Sequence, residues 1–178
     1  MSNRVKHFRE VYPDVASVIA QIKTNRHPIS VLLDGIQDVQ NIGAILRLAD
    51  AARLEQVILF NHYGETPAKK LSRVSRSTDQ YVNFHTLSSW DALLALKETH
   101  TLVALEITTN SVPYFDWQPQ FPLLLMAGGE QQGISESVLA LADQVVHLPM
   151  YGVNLSMNVA MASSIVVYHW LQYVALHE

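Results

Sequence analysis

The sequence predicts an α/β fold, a mostly parallel sheet with helices on both faces, and three observations carry that expectation. Short apolar runs such as ISVLLD (29–34), QVILF (56–60) and LLLMAG (123–128) read as strands buried on both sides. Helical patterns separate these runs, the order that builds βαβ units. At 178 residues, with 49% hydrophobic and 16% charged residues, the chain can bury one core of this kind. A single domain over 1–178 is expected, with a short helical extension over about 1–28.

The elements follow in order. Val15, Val18, Ile19 and Ile22 recur at i, i+3, i+4 and i+7, so 14–24 is an amphipathic helix, ended by Pro28. The run 29–34 closes on Asp34-Gly35, a strand entering a turn. IGAILRLADAA (42–52) is helical and 56–60 is the next strand. A loop at 61–68 precedes the basic stretch KKLSRVSRS. YVNFHTL (81–87) reads as a strand, 88–99 as a Ser-capped helix and TLVALEI (101–107) as a strand. A Pro- and aromatic-rich loop (108–122) leads to the strand 123–128. SESVLALA (135–142) is a helix with Ser135 as its cap, VVHLPM (145–150) the last strand, and 156–176 the last helix.

Bulk properties narrow the function. No apolar run reaches the roughly 18–20 residues of a membrane span. MSNRVKHFREVYPD is too polar for a secretory leader, so a cytoplasmic location is expected. The chain has no Cys, which removes disulfides and thiolate metal sites. Its eight His lack H-x-x-x-H and H-E-x-x-H spacing, so no metal is expected. The net charge of −4 is unevenly spread: residues 1–76 carry +4 and residues 77–178 carry −8. One basic and one acidic surface are expected, the basic one suited to a polyanion. The slightly apolar composition points to a buried face between copies.

Ligands of such sheets bind beyond the carboxyl ends of the strands, where three loops stand out. In LLDGIQDVQNIGAILRLAD, Asn41 can cap the following helix and Gly43 permits close backbone approach. Arg47, among aliphatic neighbours, reads either as a residue snorkelling at a helix edge or as a fixed cation facing a phosphate or a developing oxyanion. In MAGGEQQGIS, Gly128, Gly129 and Gly133 offer backbone N–H groups, and Glu130 can hold a neighbouring loop. This is neither the G-x-G-x-x-G fingerprint nor a phosphate loop ending in G-K-[ST]. In LPMYGVNLSMN, Pro149 and Gly152 shape a turn and Ser156 can cap the last helix. Ser156 and Asn158 orient polar groups without ionising near neutral pH, which selects against hydrolytic acid–base chemistry.

Together, LLDGIQDVQNIGAILRLADAA, LLLMAGGEQQGIS and LPMYGVNLSMNVAMA resemble the three motifs of the SpoU (TrmH-type) RNA ribose 2′-O-methyltransferases of the SPOUT superfamily, in order and spacing over roughly 29–170. The resemblance implies a SPOUT fold with a C-terminal trefoil knot and a homodimer built partly on the last helix. It implies S-adenosyl-L-methionine (AdoMet) as cofactor, with contacts near Leu105, Glu106, Gly128, Leu148, Met150 and Met157. It implies a catalytic set of Asn41, Arg47, Glu130, Ser156 and Asn158. Val39 stands where the family often has Pro, Met157 interrupts the usual Ser-Leu-Asn, and STD (77–79) replaces a run of small residues.

The family assigns proton removal from the ribose hydroxyl to the motif Arg. A guanidinium is deprotonated only about once in 10⁵ at neutral pH, a cost of roughly 7 kcal/mol. Arg47 is therefore expected to stabilise the developing alkoxide, with an RNA phosphate or water as final proton acceptor. Structured RNA is the expected partner, tRNA first and rRNA second. Arg4, Lys6, Arg9, Lys23 and Arg26 are candidates for gripping phosphates away from the site, and Lys69, Lys70, Arg73 and Arg76 near it. The rival expectation is a catalytically silent RNA-binding protein of the same fold.

Overall fold

The computed structural model describes residues 12, 14–61, 68–76, 78–129 and 132–174. Seven strands form one sheet: β1 (His27–Asp34), β2 (Leu54–Phe60), β3 (Phe84–Thr86), β4 (Thr101–Leu105), β5 (Val112–Pro113), β6 (Leu123–Gly128) and β7 (Gln144–His147). Their order is β3-β2-β1-β6-β4-β7-β5, and every neighbouring pair is parallel. The α/β expectation holds, with all seven strands parallel.

The apolar runs follow from this arrangement, because a parallel sheet buries both faces. Along β1 and β6, Val31, Leu33, Leu125 and Ala127 enter one core, while Leu32, Leu124 and Met126 enter the other. The first core is closed by α2 (Val39–Ala51), through Ile42, Ile45 and Leu46, and by α6 (Val159–Val174), through Val166, Val167 and Trp170. The second is closed by α4 (Trp90–Lys97) through Leu93 and by α5 (Glu136–Leu139) through Val138. Helices thus cover both faces.

Two further α-helices occur among the described residues. α1 (Val15–Thr24) has no buried residue and is capped by Asp14, whose side chain accepts from the Ser17 N–H. α3 (Ala68–Ser75) packs on α2 where Gly43 meets Val74, and any Cβ at 43 would collide with the Val74 side chain. The glycine therefore lets a cationic helix lie close against the helix that carries Asn41 and Arg47.

Several boundaries differ from expectation. Pro28 lies inside β1 at its second position, where the ladder tolerates a missing N–H. The helix expected over 135–142 is one turn, and Ser135 at its N-cap makes no side-chain cap bond. β3 has three residues where seven were expected. The last helix starts at Val159, three residues later than expected. Among the described residues no helix is long and apolar enough to cross a membrane.

Candidate active site

Parallel pairing aligns the strand ends: Asp34 of β1 is in register with Phe60 of β2 and Gly128 of β6, and Leu105 of β4 is in register with Ala127 of β6. The chain turns back at β1, with β2 on one side and β6 on the other, so the crevice expected at such a switch point opens here. Two adjoining clefts occupy it. One, of about 420 Å³, is lined by Leu105, Glu106, Gly128, Ser156, Met157 and Asn158. The other, of about 620 Å³, lies between the ends of β1, β2 and β6 and includes Asp34 and Asn41. Gly129 and Gly133 belong to both walls.

One side-chain pair spans the two clefts. The Asn158 carboxamide donates through Nδ2 to Oδ1 of Asn41 at 2.8 Å. Asn158 Oδ1 accepts from the N–H groups of Ala160 (3.0 Å) and Met161 (3.3 Å), so Asn158 caps α6. This corrects the expected cap at Ser156. Asn41 is not a cap either: it stands in the first turn of α2, 7% exposed, while Asp38 caps that helix by accepting from the Gln40 N–H at 2.9 Å. The Asn41 side chain instead accepts from Asn158.

Two carboxylates peg the glycine loop between the clefts. Glu106, just past β4, accepts from the Ile134 N–H through Oε2 (3.0 Å) and from the Ile107 N–H through Oε1 (3.0 Å). Asp34, 2% exposed, accepts from the Ser135 N–H through Oδ2 (2.7 Å) and from Asn61 Nδ2 through Oδ1 (2.6 Å). Charge-assisted bonds of this length hold backbone firmly. The glycines make the loop possible: a Cβ on Gly128 would overlap the backbone of Gly133 and Ile134, and one on Gly133 would overlap Glu106 Oε2. Asp34 carried a sequence signal, an acidic residue ending an apolar strand, that reading Asp34-Gly35 only as a turn passed over.

Other site residues are placed elsewhere. Leu148 packs against the core, and neither it nor Met150 is among the described residues lining the first cleft. Glu130 lies outside the described residues. Arg47 is exposed on the outward stripe of α2, with Gln40, Ala44 and Ala51. Six residues past Asn41, it stands about 9 Å further along the helix axis, and it lines neither cleft of its own chain.

The cations divide as well. Arg26 donates to the carbonyls of Leu54 (2.9 Å) and Tyr81, so it ties strand starts together instead of facing a phosphate. Burial lowers its pKa, against the attraction of Asp50, and burial raises that of Asp50. Lys70, Arg73 and Arg76 are exposed on and just after α3. Arg4, Lys6 and Arg9 lie outside the described residues, as does the side chain of Lys69. No group of His, Asp and Glu suited to a metal occurs among the described residues.

The architecture has known counterparts. A Staphylococcus haemolyticus protein, named as a member of the TrmH family of tRNA/rRNA methyltransferases, is 31% identical over 139 residues, 78% of this chain and 56% of its own length. The Bacillus subtilis 23S rRNA (guanosine(2553)-2′-O)-methyltransferase RlmP is 29% identical, with the same coverages. The SpoU methyltransferase AviRb of Streptomyces viridochromogenes, crystallised with AdoMet, superposes with a TM-score of 0.74 at 27% identity, over 81% of this chain and 57% of that one. The chain spans 56–64% of the length of the curated relatives it matches first. Residues 28–168 match the model of the SpoU rRNA methylase family, and with all three motif loops gathered at one sheet edge the chain belongs to that family.

Proposed function

We propose that this protein is an AdoMet-dependent RNA ribose 2′-O-methyltransferase acting on structured RNA. The observation that carries the reading is the Asn158–Asn41 hydrogen bond, which joins the first and third motifs across the two clefts. Family membership and the names of the relatives, several of them RNA methyltransferases, support the same chemistry.

The first cleft suits AdoMet. Leu105, Met157, Val159 and Ala162 give it apolar walls, Glu106 gives it a carboxylate, and its described lining has no Lys or Arg. That donor set favours a cationic sulfonium over a phosphorylated cofactor. AdoMet supplies an electrophilic methyl group, and the chain's part is to hold the acceptor hydroxyl in line with it. Ser156 and Asn158 orient the ribose, Asn41 fixes Asn158, and Glu130 secures the loop beside them. Arg47 stabilises the alkoxide as it forms, as a donor and not as a base. Leu148 and Met150 are the AdoMet contacts that the family resemblance implies on the loop after β7, outside the described lining of the first cleft. The chain leaves β7 and returns across β4 and β6 to reach Asn41, a path that supports a knotted C-terminal segment.

The active unit is a homodimer. Met161, Ile165 and Tyr168 form an exposed apolar stripe on α6 at helical spacing. The adjoining loop exposes Tyr151, Val153 and Leu155 at 82–98%. Monomers rarely leave so much contiguous apolar surface in water. In that homodimer Arg47 of each copy serves the cleft of the other, a reading supported by its lining neither cleft of its own chain.

tRNA is the first substrate to test and rRNA the second. The purified protein is incubated with methyl-labelled AdoMet and with each RNA class from cells lacking it, and the nucleosides are analysed by mass spectrometry. A 2′-O-methylated nucleoside from one class is the expected product. Absence of label in both, with AdoMet bound, leaves the silent RNA-binding protein as the correct reading.

A further inference from the structure

The second cleft is more polar than a cofactor needs and has the wrong charge for a phosphate. Its wall includes two carboxylates, Asp34 and Asp38, with Gln37, Asn61 and Ser137, and no Lys, Arg or His among its described lining residues. A phosphate there would face two anions with no counter-charge. A neutral nucleoside, rich in N–H and O–H donors, meets carbonyl, carboxylate and hydroxyl acceptors instead. At about 620 Å³ the cleft falls within the size range of small-molecule sites.

Two features fix the wall. Asn61 adopts a left-handed backbone (φ 50°), which asparagine takes more readily than other side-chain-bearing residues, and its amide is fixed by the 2.6 Å bond to Asp34. Ser135 Oγ is buried with no hydrogen-bond partner among the described residues, although its own N–H is held by Asp34. The cleft also shares Gly129 and Gly133 with the first cleft, and the Asn41–Asn158 bond spans the two, so an occupant meets the first cleft at that boundary.

We propose that this second cleft is the subsite for the base of the target nucleotide, contacted through Gln37, Asn61 and Ser137, while its ribose lies at the boundary with the first cleft that the Asn41–Asn158 pair spans, and the flanking phosphates stay outside over α3. The inference rests on the methyl-transfer reading and names what that site reads.

The test is equilibrium dialysis of guanosine and of guanosine 5′-monophosphate against the full chain saturated with S-adenosylhomocysteine. Guanosine is expected to bind in the millimolar range, with the monophosphate weaker. Gln37→Ala and Ser137→Ala, both at exposed positions, should each weaken guanosine by about threefold to tenfold, the worth of one neutral hydrogen bond, with S-adenosylhomocysteine affinity kept. Tighter binding of the monophosphate overturns the proposal. So does guanosine affinity unchanged in both variants, or no guanosine retained at about 2 mM, near its solubility. Methylated RNA alongside a failed guanosine experiment removes the subsite alone, and bound guanosine with no RNA methylated removes the methyl-transfer reading alone.

Discussion

Asn158 and Asn41, 117 positions apart in the chain, share a 2.8 Å hydrogen bond at the mouth of the crevice. The same Asn158 caps α6, so one side chain links helix initiation to site assembly. Asn158→Ala removes the cap and one bond to a buried carboxamide, a loss of about 2 kcal/mol. Asn158→Asp keeps an oxygen for the cap and is expected to lose about half as much. Urea denaturation of the two variants checks the order.

Two glycines with left-handed backbones separate strain from collision. Gly35 (φ 67°) has open space where a Cβ would go, whereas at Gly133 (φ 65°) a Cβ meets Glu106 Oε2. Gly35→Ala is expected to cost about 1 kcal/mol of stability and leave AdoMet affinity unchanged. Gly133→Ala displaces the carboxylate that pegs Ile134, and should weaken AdoMet by tenfold or more, about 1.4 kcal/mol. Calorimetry with AdoMet distinguishes the two.

Much of this arrangement is legible in the sequence, for identifiable reasons. Strand 123–128 was located to the residue because a central parallel strand is apolar on both faces and leaves a continuous run. β3 was overextended because an edge strand pairs on one side only, and just Phe84–Thr86 find partners on β2. Capping was misassigned at Ser156 and Asn41 because cap chemistry is shared by Ser, Asn and Asp, and local spacing cannot say which of them is drawn to a distant partner. The Asn41–Asn158 bond decided both cases. Asp34 was missed as a peg because its partners, Asn61 and Ser135, lie 27 and 101 positions away.

Phosphate contacts make RNA affinity fall with salt. Lys70, Arg73 and Arg76 are exposed where Gly43 lets α3 approach the helix of Asn41. Replacing all three by Ala should lower the slope of log affinity against log salt by about 2 to 3. Filter binding between low and high salt measures it, and an unchanged slope assigns the phosphate grip to other residues.

Asp50 imposes a pH dependence on stability whose sign follows from its environment. Burial, opposed in part by Arg26, raises its carboxyl above the ordinary aspartate range. The folded state therefore binds this proton more tightly than the unfolded state, and the group's contribution is lost as pH rises from the ordinary aspartate value through the raised one. Asp50→Asn has no such loss. The variant should melt above the parent near pH 7 and converge with it near pH 3.5, around the unfolded pKa. Thermal melts across this range check the sign, and a gap that widens on acidification refutes it.

If Arg47 serves the cleft of the opposite copy, the two halves of a site can be separated. Arg47→Ala is expected to lose methyl transfer by about 10² to 10³, the usual effect of deleting a group that stabilises developing charge, and Asn158→Ala by about 10², because the ribose is no longer held in line. Random reassociation of the two variants makes half the dimers mixed. In a mixed dimer one site keeps an intact cleft and receives the other copy's intact Arg47, so about one quarter of parental activity returns. Were Arg47 to act within its own chain, every site in the mixture would lack one group and no activity would return. Rate measurements on a series of mixing ratios, with a peak expected at equal amounts, decide between these arrangements without any change in the RNA or the cofactor.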